Sequence, residues 1–175
     1  MNKIIVINYE GARFISGNLN NLKDNFIRDC GLAPYEILDQ KTRDEIFCFF
    51  LNYSDTSDKL IIHIKSHGFN KGICQLHQDT INNPICDLNS IITWEELIRL
   101  FNNISKNCNE LIVNLGTVCN SIYIQDCNQK MNFDTLVTTK TVSDPVEPRK
   151  INRGLISNIN NVILKDGYEL LRKNK

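Results

Sequence analysis

Two aliphatic runs, each ending at a small-residue turn with one reactive side chain, constrain this chain more than any other feature. They are Leu60-Ile61-Ile62-His63-Ile64-Lys65-Ser66-His67-Gly68 and Glu110-Leu111-Ile112-Val113-Asn114-Leu115-Gly116-Thr117-Val118-Cys119-Asn120-Ser121. Each is rich in β-branched and aliphatic residues and too short for a long helix, so each reads as a buried strand. If the two are parallel strands of one sheet, His67 and Cys119 emerge together at its carboxyl edge. Open α/β sheets place their sites at that edge.

The rest of the chain alternates in the same way. Lys3 to Asn8 reads as a buried first strand, and Leu19, Leu22, Phe26 and Ile27 repeat at helical spacing before Cys30-Gly31. Tyr35, Ile37 and Leu38 suggest a short second strand. Thr42 followed by Glu45 forms a capping box ahead of Ile46, Phe49 and Phe50. After the His67 strand, Phe69 to Gln78 reads as a hairpin around Asn70-Lys71-Gly72, and residues 79–90 as an irregular excursion. A second capping box, Thr93 with Glu96, precedes one helical face of Trp94, Leu97, Ile98, Phe101 and Ile104. Beyond the Cys119 strand, the pattern predicts a short helix over Ser121 to Met131 and a fifth strand over Thr135 to Thr139. A Pro-containing loop over Ser143 to Lys150 then leads to a terminal helix through Leu155, Ile159, Val162, Ile163 and Leu170.

Strand–helix alternation predicts an α/β fold with a mostly parallel central sheet covered on both faces, a three-layer α/β/α sandwich. A chain of 175 residues with 42% hydrophobic content fits one domain spanning 1–175. Lysine plus arginine and aspartate plus glutamate each number 20 and are interspersed, so no net field draws the chain to nucleic acid or an anionic membrane. No apolar run approaches the roughly 18 residues needed to span a bilayer, and the N-terminus lacks the regions of a signal peptide. Seven cysteines, several inside apolar segments, fit a reducing cytoplasm better than a disulfide framework.

A cysteine nucleophile needs a thiolate, a base and donors for the oxyanion. Cys119 follows a strand, and a helix starting near Ser121 would turn its positive end toward the sulfur. His67 can serve as the base and then protonate the leaving amine. Gly68 has no side chain to obstruct a carbonyl, and its backbone N–H together with that of Cys119 forms a candidate oxyanion hole. Taken singly, His67 also reads as a turn histidine and Cys119 as a packing cysteine; their joint placement favours the catalytic reading. His63 reads as a satisfied core histidine. Cys74, His77 and Cys86 have metal-capable side chains, but their spacing is not a zinc pattern, and no nucleotide-binding loop is present, so neither a metal nor a cofactor is expected.

With His67-Gly68 and Cys119 placed in this way, the chain resembles the caspase-like cysteine peptidases, a group that includes caspases, metacaspases, separases and the bacterial CHAT proteins. In that group a hydrophobic strand ends in His-Gly and the next core strand ends in the nucleophilic Cys. The matching residues here are Ser66-His67-Gly68 and Val118-Cys119-Asn120-Ser121, with the two reactive residues 119 − 67 = 52 apart. Caspases place them about 50 apart. The likeness runs from Lys3 to about Thr139. One departure is the Gly116-Thr117-Val118 segment between Leu115 and Cys119; another is the short stretch of chain after the fifth strand.

The resemblance implies a cysteine endopeptidase that cleaves a protein partner, in bacterial (antiviral) defence or programmed cell death, with a regulatory partner protein in some cases. It also implies strand order 2-1-3-4-5 and a P1-selecting residue near the ends of the first, fourth or fifth strands. Glu10 and Asp144 would favour a basic P1 residue and Arg13 an acidic one, while Ser66 and Thr117 would line either pocket. Two other readings stay open. One is a catalytically inactive caspase-like scaffold or regulatory module, and the other an unrelated flavodoxin-like domain binding a small ligand at the same edge.

Overall fold

The structure is a computed structural model that describes residues 1–11, 23–24, 27, 33–76, 86–140, 151, 154, 164 and 166–173. Its centre is a sheet in the order β2-β1-β3-β6-β7-β8. The strands are β1 (Asn2–Tyr9), β2 (Glu36–Asp39), β3 (Ser57–Phe69), β6 (Cys108–Val118), β7 (Thr135–Thr139) and β8 (Tyr168–Arg172). All neighbours pair parallel except β7 and β8. Counting only the five expected strands, this is the expected 2-1-3-4-5 order, with the His67 and Cys119 strands adjacent and parallel.

The parallel strands are continuous hydrophobic runs because both faces are covered. On one face, Ile5, Ile7, Leu60, Ile62, Leu111 and Val113 meet two helices, α1 (Arg43–Asn52) and α2 (Trp94–Ile104). Both capping boxes are present: the Thr42 and Thr93 hydroxyls accept from the backbone N–H of Glu45 and Glu96, whose carboxylates reach back. Trp94, Leu97, Ile98, Phe101 and Ile104 are all buried, as the helical spacing requires. Each stabilises the fold by about 1.5–3 kcal/mol on transfer grounds. Phe101 packs edge-on against Phe50 and Phe133 with ring centroids 6.0 and 5.7 Å away. On the opposite face a smaller cluster joins Ile4, Val6, Ile61, Ile112 and Val137 to Ile151, which is helical.

Several details differ from the sequence expectation. β3 does not end at His67 but continues to Phe69, because β4 (Gly72–Cys74) pairs antiparallel with it across the turn at Asn70-Lys71. A two-residue strand, β5 (Ile92–Thr93), extends this hairpin. The segment after Cys119 is a 3-10 helix over Ser121–Asp126 rather than an α-helix reaching Met131. Leu170 lies on β8, not on a terminal helix; Gly167 at φ +92° turns the chain so that Tyr168 to Arg172 can pair with β7. Leu155, Ile159, Val162 and Ile163 lie outside the described residues, as do Leu19, Leu22 and Phe26.

Cys74 and Cys86 form a disulfide, whereas the cysteine pattern had favoured free thiols. The antiparallel bridge between Leu76 and Cys86 brings Cys74 and Cys86 together with their Cα atoms 6.0 Å apart, within the span of such a bond. Cys48, Cys108, Cys119 and Cys127 are free. Among the described residues no helix is long and apolar enough to cross a membrane.

Candidate active site

His67 is the eleventh residue of β3, half-buried and directly paired with Cys74 of β4. Cys119, also half-buried, is the first residue past β6. The β3–β6 register brings them together. Lys65 pairs with Thr117 and Ser66 with Val118, so the next positions in line are His67 and Cys119. Gly68 seals the approach. A Cβ built there would lie 2.6 Å from Val118 Cγ1 and closer still to the Cys119 carbonyl oxygen. Only glycine lets β3 pass this near the cysteine backbone.

The facing of Cys119 depends on a β-bulge. Along an unbroken strand, side chains alternate, so Cys119 would share the face of Leu111, Val113 and Leu115, which is packed under α1 and α2. His67 is in phase with Ile61, on the other face. Between the His63–Asn114 and Lys65–Thr117 pairs, two residues, Leu115 and Gly116, stand opposite Ile64 alone. The extra residue reverses the phase. Val118 then joins Leu115 in the helix-side core, and Thr117 and Cys119 line up with Lys65 and His67. The Gly116-Thr117-Val118 segment, a departure from the caspase-like pattern in sequence, is therefore part of the strand, and Cys119 follows the strand directly.

Side chains replace the ladder hydrogen bonds that a bulge interrupts. The fully buried Asn114 accepts from the Gly116 N–H through Oδ1 at 3.0 Å. The Thr117 hydroxyl donates to the Ile64 carbonyl. The fully buried Ser121 hydroxyl donates to the Leu115 carbonyl at 3.0 Å and accepts from the Thr139 N–H at 2.9 Å. Asn120 completes the turn in the left-handed region at φ 57°, a conformation asparagine tolerates well.

The electrostatics favour a neutral imidazole. Burial lowers the His67 pKa below its ordinary value; the negative charge of Glu10 opposes the shift and the positive charge of Lys65 adds to it. A neutral imidazole beside a thiol can take its proton and return it to a leaving amine. Burial and nearby carboxylates push two other thiols, Cys108 and Cys127, up to about 11.

The remaining sequence-derived residues are distributed differently. Glu10, just past β1, pairs its carboxylate with Lys65 Nζ at 2.6 Å. Ser66 is buried, and its hydroxyl donates to the Tyr9 carbonyl at 3.0 Å and reaches the Cys74 carbonyl at 3.3 Å, tying three strand ends together. Thr117 sits on the His67 face by register but is only 7% exposed. Arg13 and Asp144 lie outside the described residues. His63 is buried two positions along the same face from Lys65. His77 also lies outside the described residues, and the two other metal-capable side chains of that stretch, Cys74 and Cys86, are bonded to each other. A cleft of about 290 Å³ opens between the Asn70-Lys71 turn, the start of α2 and the 3-10 helix, with Glu95, Tyr123 and Asp126 on its walls; neither His67 nor Cys119 lines it.

Sequence reasoning missed Lys65, Asn114 and the role of Ser121. Asn114 carried a legible signal, being one polar residue inside an aliphatic run that is otherwise buried. No protein-family model matches this chain, and no curated protein matches it.

Proposed function

We propose that the protein is a cysteine endopeptidase of the caspase-like kind, with His67 as base and Cys119 as nucleophile. The observation that carries this reading is the bulged β3–β6 register, which aligns His67 with Cys119 at the carboxyl edge of a parallel sheet. In this reading the neutral imidazole withdraws the thiol proton as the sulfur attacks the scissile carbonyl carbon. The backbone N–H groups of Gly68 and Cys119 stabilise the oxyanion. Collapse of the tetrahedral intermediate transfers the His67 proton to the departing amine and leaves a thioester on Cys119. Water, deprotonated by His67, then hydrolyses the thioester and frees the new carboxylate.

Lys65 already neutralises Glu10, so a preference for basic P1 residues rests on Asp144. A protein partner cut during bacterial defence or programmed cell death is the substrate class that the family resemblance supports. The test is cleavage of a P1-diverse peptide library by the wild type and by Cys119→Ala. Loss of one half-buried thiol creates little cavity, so the variant should melt like the wild type and cleave nothing. Retained cleavage would place the nucleophile elsewhere.

A further inference from the structure

We infer that Asn114 and Ser121 are positioning residues that act through the β6 bulge to keep Cys119 on the face of His67. The inference rests on the proposed dyad, but its geometric half can be tested without any catalysis. A bulge leaves backbone groups off the ladder, and a strand relieved of its clamp can slip into regular pairing with one residue fewer taken up. A one-residue slip inverts every side chain beyond it. Here the inverted set would include Thr117, Val118 and Cys119, placing Cys119 toward the helix-packed core and Val118 toward His67.

Four hydrogen bonds oppose that slip, three of them made to the bulge residues or to the carbonyl directly across from them. Asn114 Oδ1 holds the N–H of the extra residue, Gly116. The Thr117 hydroxyl binds the Ile64 carbonyl that both bulge residues face. Ser121 reaches back from beyond the nucleophile to the Leu115 carbonyl and ties it to the Thr139 N–H at the end of β7. Ser121 thus fixes the chain on the far side of Cys119 while Asn114 fixes it on the near side. Both polar side chains are fully buried with their hydrogen bonds made, as structural clamps require.

The same register makes a less obvious prediction. Removing Gly116 leaves Asn114, Leu115, Thr117, Val118 and Cys119 in unbroken alternation, with Cys119 again on the His67 face. The deletion therefore removes the need for the clamp without moving the nucleophile to the wrong side. A loss caused by breaking the clamp should be repaired by deleting the residue it clamps.

The experiment uses Asn114→Leu, close in size but without the acceptor, and Asn114→Asp, which keeps it. Gly116 deletion is made alone and in the Asn114→Leu background. One readout is geometric: with His67→Cys added, oxidation should join residues 67 and 119, detected by mass mapping of the linked peptide. The other is the rate of Cys119 alkylation by iodoacetamide with His67 in place. Asn114→Leu should cut both readouts by tenfold or more, since displacements of about 1 Å cost on the order of 10²-fold in such sites. Asn114→Asp should retain both, and deletion of Gly116 from Asn114→Leu should restore them. Should Asn114→Leu fail to fold, the deletion alone decides: the 67–119 link should persist, and its loss overturns the inference. Wild-type linking in a folded Asn114→Leu, or no rescue by the deletion, also overturns it. If linking follows the predicted pattern while wild-type alkylation of Cys119 is indifferent to His67, positioning stands and the peptidase reading fails.

Discussion

Gly68→Ala is the substitution with the sharpest expected consequence. The added Cβ would fall 2.6 Å from Val118 Cγ1, against an ordinary contact of 3.4 Å, so that group must retreat by about 0.8 Å, and the Cys119 carbonyl oxygen, closer still, by more. The oxygen belongs to the backbone that carries the nucleophile, so relief of the clash displaces Cys119 itself. Overpacking of this kind costs about 1–3 kcal/mol. For a chain of this size that is a fall of about 2–4 °C in melting temperature per kcal/mol. Gly72→Ala supplies the control, because its Cβ would meet Thr93 Cα at 2.8 Å and the Ile92 carbonyl oxygen closer still, on β5 and not on the strand that carries Cys119. Both variants should melt earlier by comparable amounts, measured by circular dichroism. Only Gly68→Ala should slow iodoacetamide labelling of Cys119, by about 10²-fold for a displacement near 1 Å. Equal labelling in the two variants, or a Gly68→Ala protein that melts and labels like the wild type, would refute the packing of β3 on the cysteine turn.

The lowered His67 pKa gives a pH prediction with a definite sign. The fold favours the neutral imidazole, so this contribution to stability is complete above the ordinary value of 6.5 and is lost as pH falls below it. His67→Gln should therefore flatten the decline in melting temperature between about pH 7 and about pH 5, and an unchanged slope would remove burial as the cause. Cys108 and Cys127, pushed up to about 11, should stay unlabelled by iodoacetamide under mildly alkaline conditions and gain reactivity only as the pH approaches that value. Rapid labelling of either near neutrality, read by peptide mapping, would contradict the buried, carboxylate-flanked setting of those thiols.

The parallel, doubly covered character of the sheet was legible because β1, β3 and β6 carry largely aliphatic runs that suit such a sheet; its strand order was implied by the family resemblance, since a run of aliphatic residues does not name its neighbour. The capping boxes at Thr42 and Thr93 and the turn at Asn70-Lys71 were legible for a similar reason: short-range chemistry decides them and tertiary context agrees. The bulge at Leu115-Gly116 was not, since one inserted residue changes no composition and little local propensity. It changes phase, and only the pairing with β3 reveals phase. The same holds for β8, where Tyr168 to Arg172 becomes a strand because the edge of β7 is there to receive it. The Glu10–Lys65 pair joins residues 55 positions apart and needed the β1–β3 register to be seen. The Cys74–Cys86 bond likewise depends on a long-range bridge that spacing alone does not disclose.

The proposed dyad is tested most directly by trapping it with a P1-diverse set of peptidyl acyloxymethyl ketones, followed by intact mass and peptide mapping. The account predicts a single adduct on Cys119 in the wild type, with the exposed Cys48 unmodified. It also predicts that the adduct is lost in His67→Ala, although Cys119 is still present in that variant. Modification of Cys48 in place of Cys119, or equal trapping of Cys119 with and without His67, would contradict it.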